Sequence, residues 1–241
     1  MTQPPQRTPE DGRRWMAEGT TIFLTALDLA DDDRLAGPTA LAGWTGKHIV
    51  AHVGANAEAV GNLVHWARTG EPTPMYSSMD QRAADIESRS HWDIPALRDR
   101  ARSSAAELAA RMAELTDEQW ATEIVTAQGR RVPATEVPWM RTREVMIHAV
   151  DLGTVGFADL PADFLVAQIG DVVGKRSGAA DEPGLVVAPS DSPLRWSVEG
   201  TGDPVTVTGS LADLTAYLTG RAGGPVTTPA GDPAPALPRW L

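Results

Sequence analysis

Residues 44–64 read WTGKHIVAHVGANAEAVGNLV, and this stretch decides the fold of the first half of the chain. Thr45 is a favoured N-cap residue, so a helix is expected to begin there. Apolar β-branched residues then recur at intervals of four and seven, which is the spacing of one helix face: Ile49, Val53, Val60 and Val64. A helix with such a stripe buries it against other helices. Because His52 lies between Ile49 and Val53, its imidazole is expected to point inward.

Sequence signals place further helices at residues 8–33, 79–115 and 139–152. The first opens with Thr8-Pro9-Glu10, a cap followed by proline at the first helical position and an acid in the first turn. In the helical region at 79–115, Asp93-Ile94-Pro95 predicts an interruption, because proline removes a donor and clashes with the preceding turn. Pro138 opens the last helix and Gly153 ends it. Four long helices predict an antiparallel four-helix bundle, with residues 121–132 either a small hairpin or an irregular excursion.

The pattern changes after Gly156. Residues 163–175 are expected to form a short helix, and residues 185–187, 194–198 and 205–208 are expected to form strands. Ser210 caps a final helix through Leu218, with Asp213 at the position of the reciprocal acidic cap. The sequence therefore predicts an α+β fold, with a four-helix bundle domain at 1–155 and a small α+β domain at 156–241. The terminal Arg239-Trp240-Leu241 is a candidate segment for docking back onto this domain.

Composition excludes several classes of function. The 241 residues carry a net charge of −11, which disfavours binding to nucleic acid. The chain has no Cys, and this removes disulfides, thiolate metal ligands and a protein-borne thiol nucleophile. Neither a signal peptide nor an apolar run of about 18 residues is present. We therefore expect a cytoplasmic monomer that binds neither nucleic acid nor membranes.

Ionisable residues interrupt the apolar faces of two predicted bundle helices. Glu144 and His148 are four residues apart, hence on one face of the predicted helix at 139–152. His52 points inward from the predicted helix that begins at Thr45. A carboxylate near a core is costly unless it is paired or bound to a metal. Two imidazoles and one carboxylate suit zinc and leave a fourth position for water or a substrate thiol. The alternatives are hydrogen-bonded core histidines and a surface salt bridge.

Two neighbouring residues bear on this candidate site. His48 shares a helix face with His52, but its place in the first turn, beside Lys47, makes it the poorer ligand. Asp151 follows His148 by three residues, where it is either an acceptor that orients the imidazole or an ordinary acid on the helix surface.

Two motifs resemble a known family. Residues 43–52 (GWTGKHIVAH) and 143–153 (REVMIHAVDLG) are similar to the metal-binding motifs of the DinB-like bundle family, and more closely to those of the mycothiol-dependent maleylpyruvate isomerases. Residues 209–221 (GSLADLTAYLTGR) resemble the second domain of the isomerases. The resemblance covers nearly the whole chain, and it implies that His52, Glu144 and His148 bind the metal.

The resemblance also implies a reaction, the cis–trans isomerisation of maleylpyruvate to fumarylpyruvate in gentisate degradation. A zinc-activated thiolate would add to the double bond, the bond would rotate, and elimination would return the thiol. Because the chain has no Cys, mycothiol is expected to supply that thiol. The expected partners are therefore mycothiol and a small-molecule dicarboxylate.

The dicarboxylate needs a cation to bind it. Arg221, at the end of the final helix that Ser210 caps, is the candidate for a bidentate contact with a substrate carboxylate or the developing enolate. The alternative is a cation that complements the negative end of that helix. Arg82 is a second candidate for contacting cofactor or substrate, and the alternative there is a solvated helix arginine.

Two other functions remain open at this point. A mycothiol S-transferase would use the same zinc and thiol on an electrophilic xenobiotic. A non-catalytic thiol- or metal-binding protein would bind the metal without turning over any electrophile.

Overall fold

Seven α-helices and a hairpin precede residue 155 among the residues that the structure describes. The computed structural model describes residues 5–179 and 181–238, so Arg239-Trp240-Leu241 lies outside it. The helices are α1 Pro9–Leu29, α2 Asp32–Ala36, α3 Gly46–Thr69, α4 Met79–Ser90, α5 Ile94–Ala113, α6 Asp117–Trp120 and α7 Val137–Asp151. Internal contacts group Thr8–Val155 into one unit, and residues 5–7 with 156–238 into a second.

The long helices α1, α3, α5 and α7 form a four-helix bundle, as predicted. α1 packs against α7, and α3 packs against both α5 and α7. The expected stripe on α3 is buried throughout: Ile49, Val53, Val60 and Val64. At Gly19 the approach of α1 to α7 is so close that a Cβ would lie 2.8 Å from a Val145 methyl group.

Local side-chain caps set the helix limits. The Thr8 hydroxyl accepts from the Asp11 amide at 3.1 Å, while the Asp11 carboxylate accepts from the Thr8 amide at 2.9 Å. Asp93 caps α5 by accepting from the Ala96 amide at 2.7 Å, and the predicted interruption between α4 and α5 is present. The short α2 was not expected; its cap is Asp31, which accepts from the Arg34 amide at 2.8 Å.

An ion-pair network joins α4 to two of the bundle helices, α3 and α5. Glu58 on α3 contacts Arg89 on α4 at 2.6 Å and Arg100 on α5 at 2.9 Å. Partial burial opposes ionisation of Glu58, but the hydrogen bonds from both arginines outweigh it and lower the pKa of the carboxyl. The network ties α4 and α5 to the middle of α3.

Residues 121–132 form the hairpin rather than an irregular excursion. Strands β1 (Glu123–Val125) and β2 (Arg131–Pro133) pair antiparallel, with Ile124 opposite Val132. A 3₁₀ turn at Ala134–Glu136 then leads into α7.

The second unit combines two helices with a three-stranded sheet. After a 3₁₀ turn at Phe157–Asp159 come α8 (Ala162–Arg176), β3 (Pro183–Val187), β4 (Trp196–Val198), β5 (Thr201–Val207) and α9 (Leu211–Leu218). The sheet order is β4-β3-β5, so consecutive β4 and β5 lie on opposite sides of β3. β3 pairs antiparallel with β4 and parallel with β5. The connection between β4 and β5 needs Gly200, because a Cβ there would clash with the Glu182 carbonyl.

These elements confirm the α+β class. Within residues 5–179 and 181–238, none of the helices combines the length and hydropathy that a transmembrane span requires.

Candidate metal centre

The structure brings together His52, Glu144 and His148, although His52 is distant from the other two in sequence. His52 is in the first half of α3, and the other two lie one turn apart on α7. The Glu144 Oε2 atom is 2.8 Å from His52 Nε2 and 3.5 Å from His148 Nε2. One ligand atom from each of the three residues lies within 4.8 Å of the others.

Trp44 forms part of the wall of this cluster. Its ring centroid is 5.5 Å from that of His52 and 6.3 Å from that of His148. The His52 side chain is 4% exposed, whereas that of Glu144 is 26% exposed, so the cluster is reached from solvent on the side of the carboxylate. Trp44 was not predicted as a site residue from the sequence; its position directly before the cap of α3 is the signal that marks it.

Asp151 orients the imidazole of His148. Its Oδ2 atom is 2.9 Å from His148 Nδ1, and its side chain is 1% exposed, so the surface-acid alternative is wrong. A contact of this kind holds Nδ1 protonated and leaves Nε2 for a metal. Burial opposes a charge on His148, but the hydrogen bonds to Asp151 and Glu144 outweigh it and raise the pKa of His148 to about 9.

The other two members of the cluster titrate differently. Burial dominates at His52 and lowers its pKa despite the nearby Glu144 carboxylate. At Glu144, burial opposes ionisation, yet the contacts with His148 and His52 hold its pKa well below the usual range. The carboxylate is therefore charged, and His52 is neutral, at physiological pH.

His48 lies outside the cluster because its side chain has another role. Its Nδ1 atom accepts from the Thr45 amide at 3.2 Å, which helps to cap α3. In the neutral ring Nε2 then carries the proton, and it faces Glu87 Oε2 at 3.2 Å. The choice of His52 over His48 agrees with this geometry.

Arg82, the second cationic candidate, lies against the cluster. Its Nη2 atom is 3.3 Å from His52 Nδ1, and its guanidinium carbon is 5.7 Å from the centre of the Tyr76 ring. Since a guanidinium only donates, Nδ1 accepts and Nε2 carries the ring proton in this arrangement. A metal at Nε2 needs that proton on Nδ1, so metal binding requires Arg82 to leave His52.

Arg221 belongs to the second unit, just after α9. Gly220 ends the helix with φ of 71°, and the Arg221 amide donates to the Ala216 carbonyl at 2.8 Å. Its Nη1 atom donates to the Thr219 carbonyl at 2.8 Å, a contact of the kind expected of a cation that complements a helix end. The role of Arg221 in binding a substrate stays a prediction.

Three polar residues beside the cluster were not singled out from the sequence: Asn56, Tyr76 and Arg141. Burial lowers the pKa of Arg141 to about 10 and raises that of Tyr76. Asn56 and Arg141 are placed one turn after His52 and one turn before Glu144, and this spacing is the signal that could have found them.

The donor set fits a divalent metal ion. Ligands at about 2.1 Å around a tetrahedral zinc are separated by about 3.4 Å. The two Glu144 contacts, at 2.8 and 3.5 Å, bracket that value, and all three ligand atoms lie within 4.8 Å of one another, so side-chain shifts and the release of Arg82 from His52 would bring them around one ion. Two nitrogen ligands and one oxygen ligand suit zinc and leave a fourth position open.

Comparison with known proteins relates the chain to one family. The model of the mycothiol maleylpyruvate isomerase N-terminal domain family matches residues 16–153. The crystal structure of the mycothiol-dependent maleylpyruvate isomerase is similar with a TM-score of 0.92 and 39% identity, over 100% of both chains. The crystal structure of its H52A mutant gives a TM-score of 0.92 and 38% identity, again over 100% of both chains. Among curated protein sequences no match is found.

The family model covers more than half of the chain, and the two crystal structures extend the similarity over all of it. The chain therefore belongs to the family of mycothiol-dependent maleylpyruvate isomerases.

Proposed function

We propose that this protein isomerises maleylpyruvate to fumarylpyruvate with mycothiol as cofactor, and that His52, Glu144 and His148 bind the divalent metal ion, zinc, that the reaction uses. The observation that carries the proposal is the part-buried cluster of two histidines and one carboxylate between α3 and α7. Similarity to isomerases over the whole chain supports the substrate and the cofactor. A place in gentisate degradation, in the cytoplasm, belongs to the same proposal.

Each residue of the cluster has a distinct part in holding the metal. His52 offers a neutral nitrogen atom, His148 does so once its Nε2 has lost a proton, and Glu144 adds one negative charge. Asp151 holds His148 in position through Nδ1. When bound, zinc lowers the pKa of a coordinated thiol, so that thiolate is available at neutral pH.

Isomerisation about a carbon–carbon double bond requires that its double-bond character be lost for a moment. Reversible addition of a thiol provides this, because the bond rotates before the thiol leaves unchanged. Since the chain contains no Cys, the thiol must come from a cofactor. This need supports mycothiol as the cofactor.

The two substrate carboxylates call for cationic groups, and we assign this part to Arg221 with Arg82 as a second contact. Loss of a bidentate, desolvated contact costs roughly 2–5 kcal/mol, or about 30-fold to several thousand-fold. Arg221→Ala should lower kcat/KM by at least tens-fold while zinc content and circular dichroism stay unchanged. Arg221→Lys should restore only part of the loss, because a point charge does not reproduce the planar fork. Near-wild-type turnover of Arg221→Ala would leave this residue as a helix cap alone.

The division of the described residues between Val155 and Gly156 supports a boundary between domains at 1–155 and 156–241.

The decisive experiment is incubation of the zinc-loaded protein with maleylpyruvate, with and without mycothiol, while fumarylpyruvate formation is followed. Turnover that requires both mycothiol and metal is expected. Transfer of mycothiol onto an electrophile without isomerisation would instead indicate an S-transferase. Metal binding without turnover on either substrate would indicate a non-catalytic protein.

A further inference from the structure

Arg141 is a buried cation with neutral hydrogen-bond partners. The residue is 2% exposed and lies one turn before Glu144 on α7. Its Nη1 atom donates to the Val53 carbonyl and to Asn56 Oδ1, both at 2.8 Å. Among the described residues, no carboxylate lies within 4.0 Å of its guanidinium, and Nε and Nη2 have no hydrogen-bond partner.

This arrangement is energetically unusual. A guanidinium has five donors, and a buried charge without a counter-ion is costly. Burial disfavours the charged form, yet the pKa of Arg141 at about 10 still leaves it protonated at neutral pH. A purely structural link between α3 and α7 needs only the two bonds from Nη1, so the remaining donors point to an anionic partner.

A chain of polar contacts connects Arg141 to the candidate metal centre. Asn56 accepts a hydrogen bond from Arg141, and interaction with Asn56 also lowers the pKa of the Tyr76 hydroxyl, although burial outweighs it. Tyr76 in turn contacts Arg82, whose Nη2 atom lies 3.3 Å from His52 Nδ1. Arg82 and Arg141 therefore both lie near Tyr76, and both are close to Glu144, whose side chain is 26% exposed.

The charged groups around the metal-ligand cluster favour the binding of a dianion. Arg82 and Arg141 carry two positive charges, which Glu144 and Asp151 balance. A bound divalent metal ion adds two positive charges, of which a bound thiolate offsets one, so a net positive charge remains to attract the dicarboxylate. In a chain with a net charge of −11, this local balance marks the bundle side of the cluster as a place where a dianion is attracted rather than repelled.

We propose that Arg141 binds one carboxylate of the dicarboxylate substrate, on the bundle side of the metal ligands. This inference rests on the proposed function and adds a specificity-determining residue to it. The Nη1 bonds fix the plane of the guanidinium, and Nε with Nη2 presents the paired donors that a carboxylate accepts.

Maleate and its mono-amide, maleamate, are suitable probes because they differ in one carboxylate. Binding of each to the zinc-loaded protein is measured by calorimetry for wild type, Arg141→Met and Arg141→Lys. Arg102→Met serves as the matched control, since Arg102 is an exposed arginine paired with Asp28 on the bundle surface. Zinc content and circular dichroism are recorded for every variant.

Wild type should prefer maleate over maleamate, and Arg141→Met should weaken maleate binding by about 30-fold or more. Its affinity for maleamate should change much less, so the preference falls, which loss of a structural contact alone does not produce. Arg141→Lys should bind maleate about tenfold more weakly than wild type, and Arg102→Met should bind both probes as wild type does. Unchanged preference in a folded, zinc-loaded Arg141→Met would overturn the inference.

If Arg141→Met does not fold, Arg141→Lys decides, because a wild-type preference in that variant contradicts the need for a planar fork. Wild-type protein without any preference for maleate would also overturn the inference. Wild-type protein that prefers maleate but does not isomerise maleylpyruvate would refute the proposed function alone.

Discussion

Zinc binding should tighten as pH rises from 6 to 9, because His148 must lose a proton before its Nε2 can bind a metal. Burial opposes the charge on this imidazole, but Asp151 and Glu144 outweigh burial and raise its pKa to about 9. The shift favours the protonated form, so the metal competes with a proton at every pH below that value. Above it, the competition ends.

The magnitude follows from the distance between pH and pKa. At pH 7 the ring is two units below its pKa of about 9, so only about 1% of the metal-free molecules have a neutral His148. This costs about 2.7 kcal/mol of zinc affinity. His52 has a lowered pKa, and Glu144 is ionised well below this range, so one proton dominates. The zinc association constant should therefore rise about tenfold per pH unit from 6 to 8.

Calorimetric titration of zinc into the metal-free protein tests this, once circular dichroism has shown that the fold persists. Comparison of two buffers with different ionisation enthalpies counts the protons, and about one should be released per zinc at pH 7. Asp151→Asn should lower the pKa of His148 and flatten the pH dependence. Above pH 9 it should weaken zinc binding by about 10- to 100-fold. The exposed Asp80→Asn is the matched control and should leave both unchanged.

A zinc affinity that is constant from pH 7 to 9, with no proton released, would refute this reasoning. It would mean that the metal-free protein already holds His148 neutral.

His52→Ala should reduce bound zinc clearly and abolish turnover, because one of three ligands is lost; full stoichiometric zinc in metal analysis would contradict its assignment. Gly19→Ala should lower the free energy of unfolding by about 1–3 kcal/mol, since its Cβ would lie 2.8 Å from a Val145 methyl group. In the same denaturant titrations, Gly54→Ala should stabilise by about 0.5–1 kcal/mol, because the nearest atom is 3.9 Å away. Glu58→Gln should flatten the loss of stability between about pH 5 and pH 3. The lowered pKa of Glu58 makes its contribution present at neutral pH and absent once the carboxyl is protonated.

Local rules were enough to predict the long helices of the bundle and the candidate ligands, although not the short α2 and α6. Caps such as Thr8 and Asp93 act within three residues, and the apolar stripe on α3 follows from the helical repeat. The same repeat put Glu144 and His148 on one face, and it gave His52 an inward direction. Each of these inferences depends on atoms a turn or less apart, and sequence spacing determines such distances directly.

Tertiary packing decided what these residues meet. His52 contacts Glu144 only because α3 packs against α7, and no local rule relates positions so far apart. The sheet order β4-β3-β5 depends likewise on Gly200 passing close to the Glu182 carbonyl. Arg141 appears in the sequence as one more helix arginine. Its burial without a carboxylate partner among the described residues, and hence its chemistry, arises only when the helices surround it, because burial and charge pairing are properties of the packed chain.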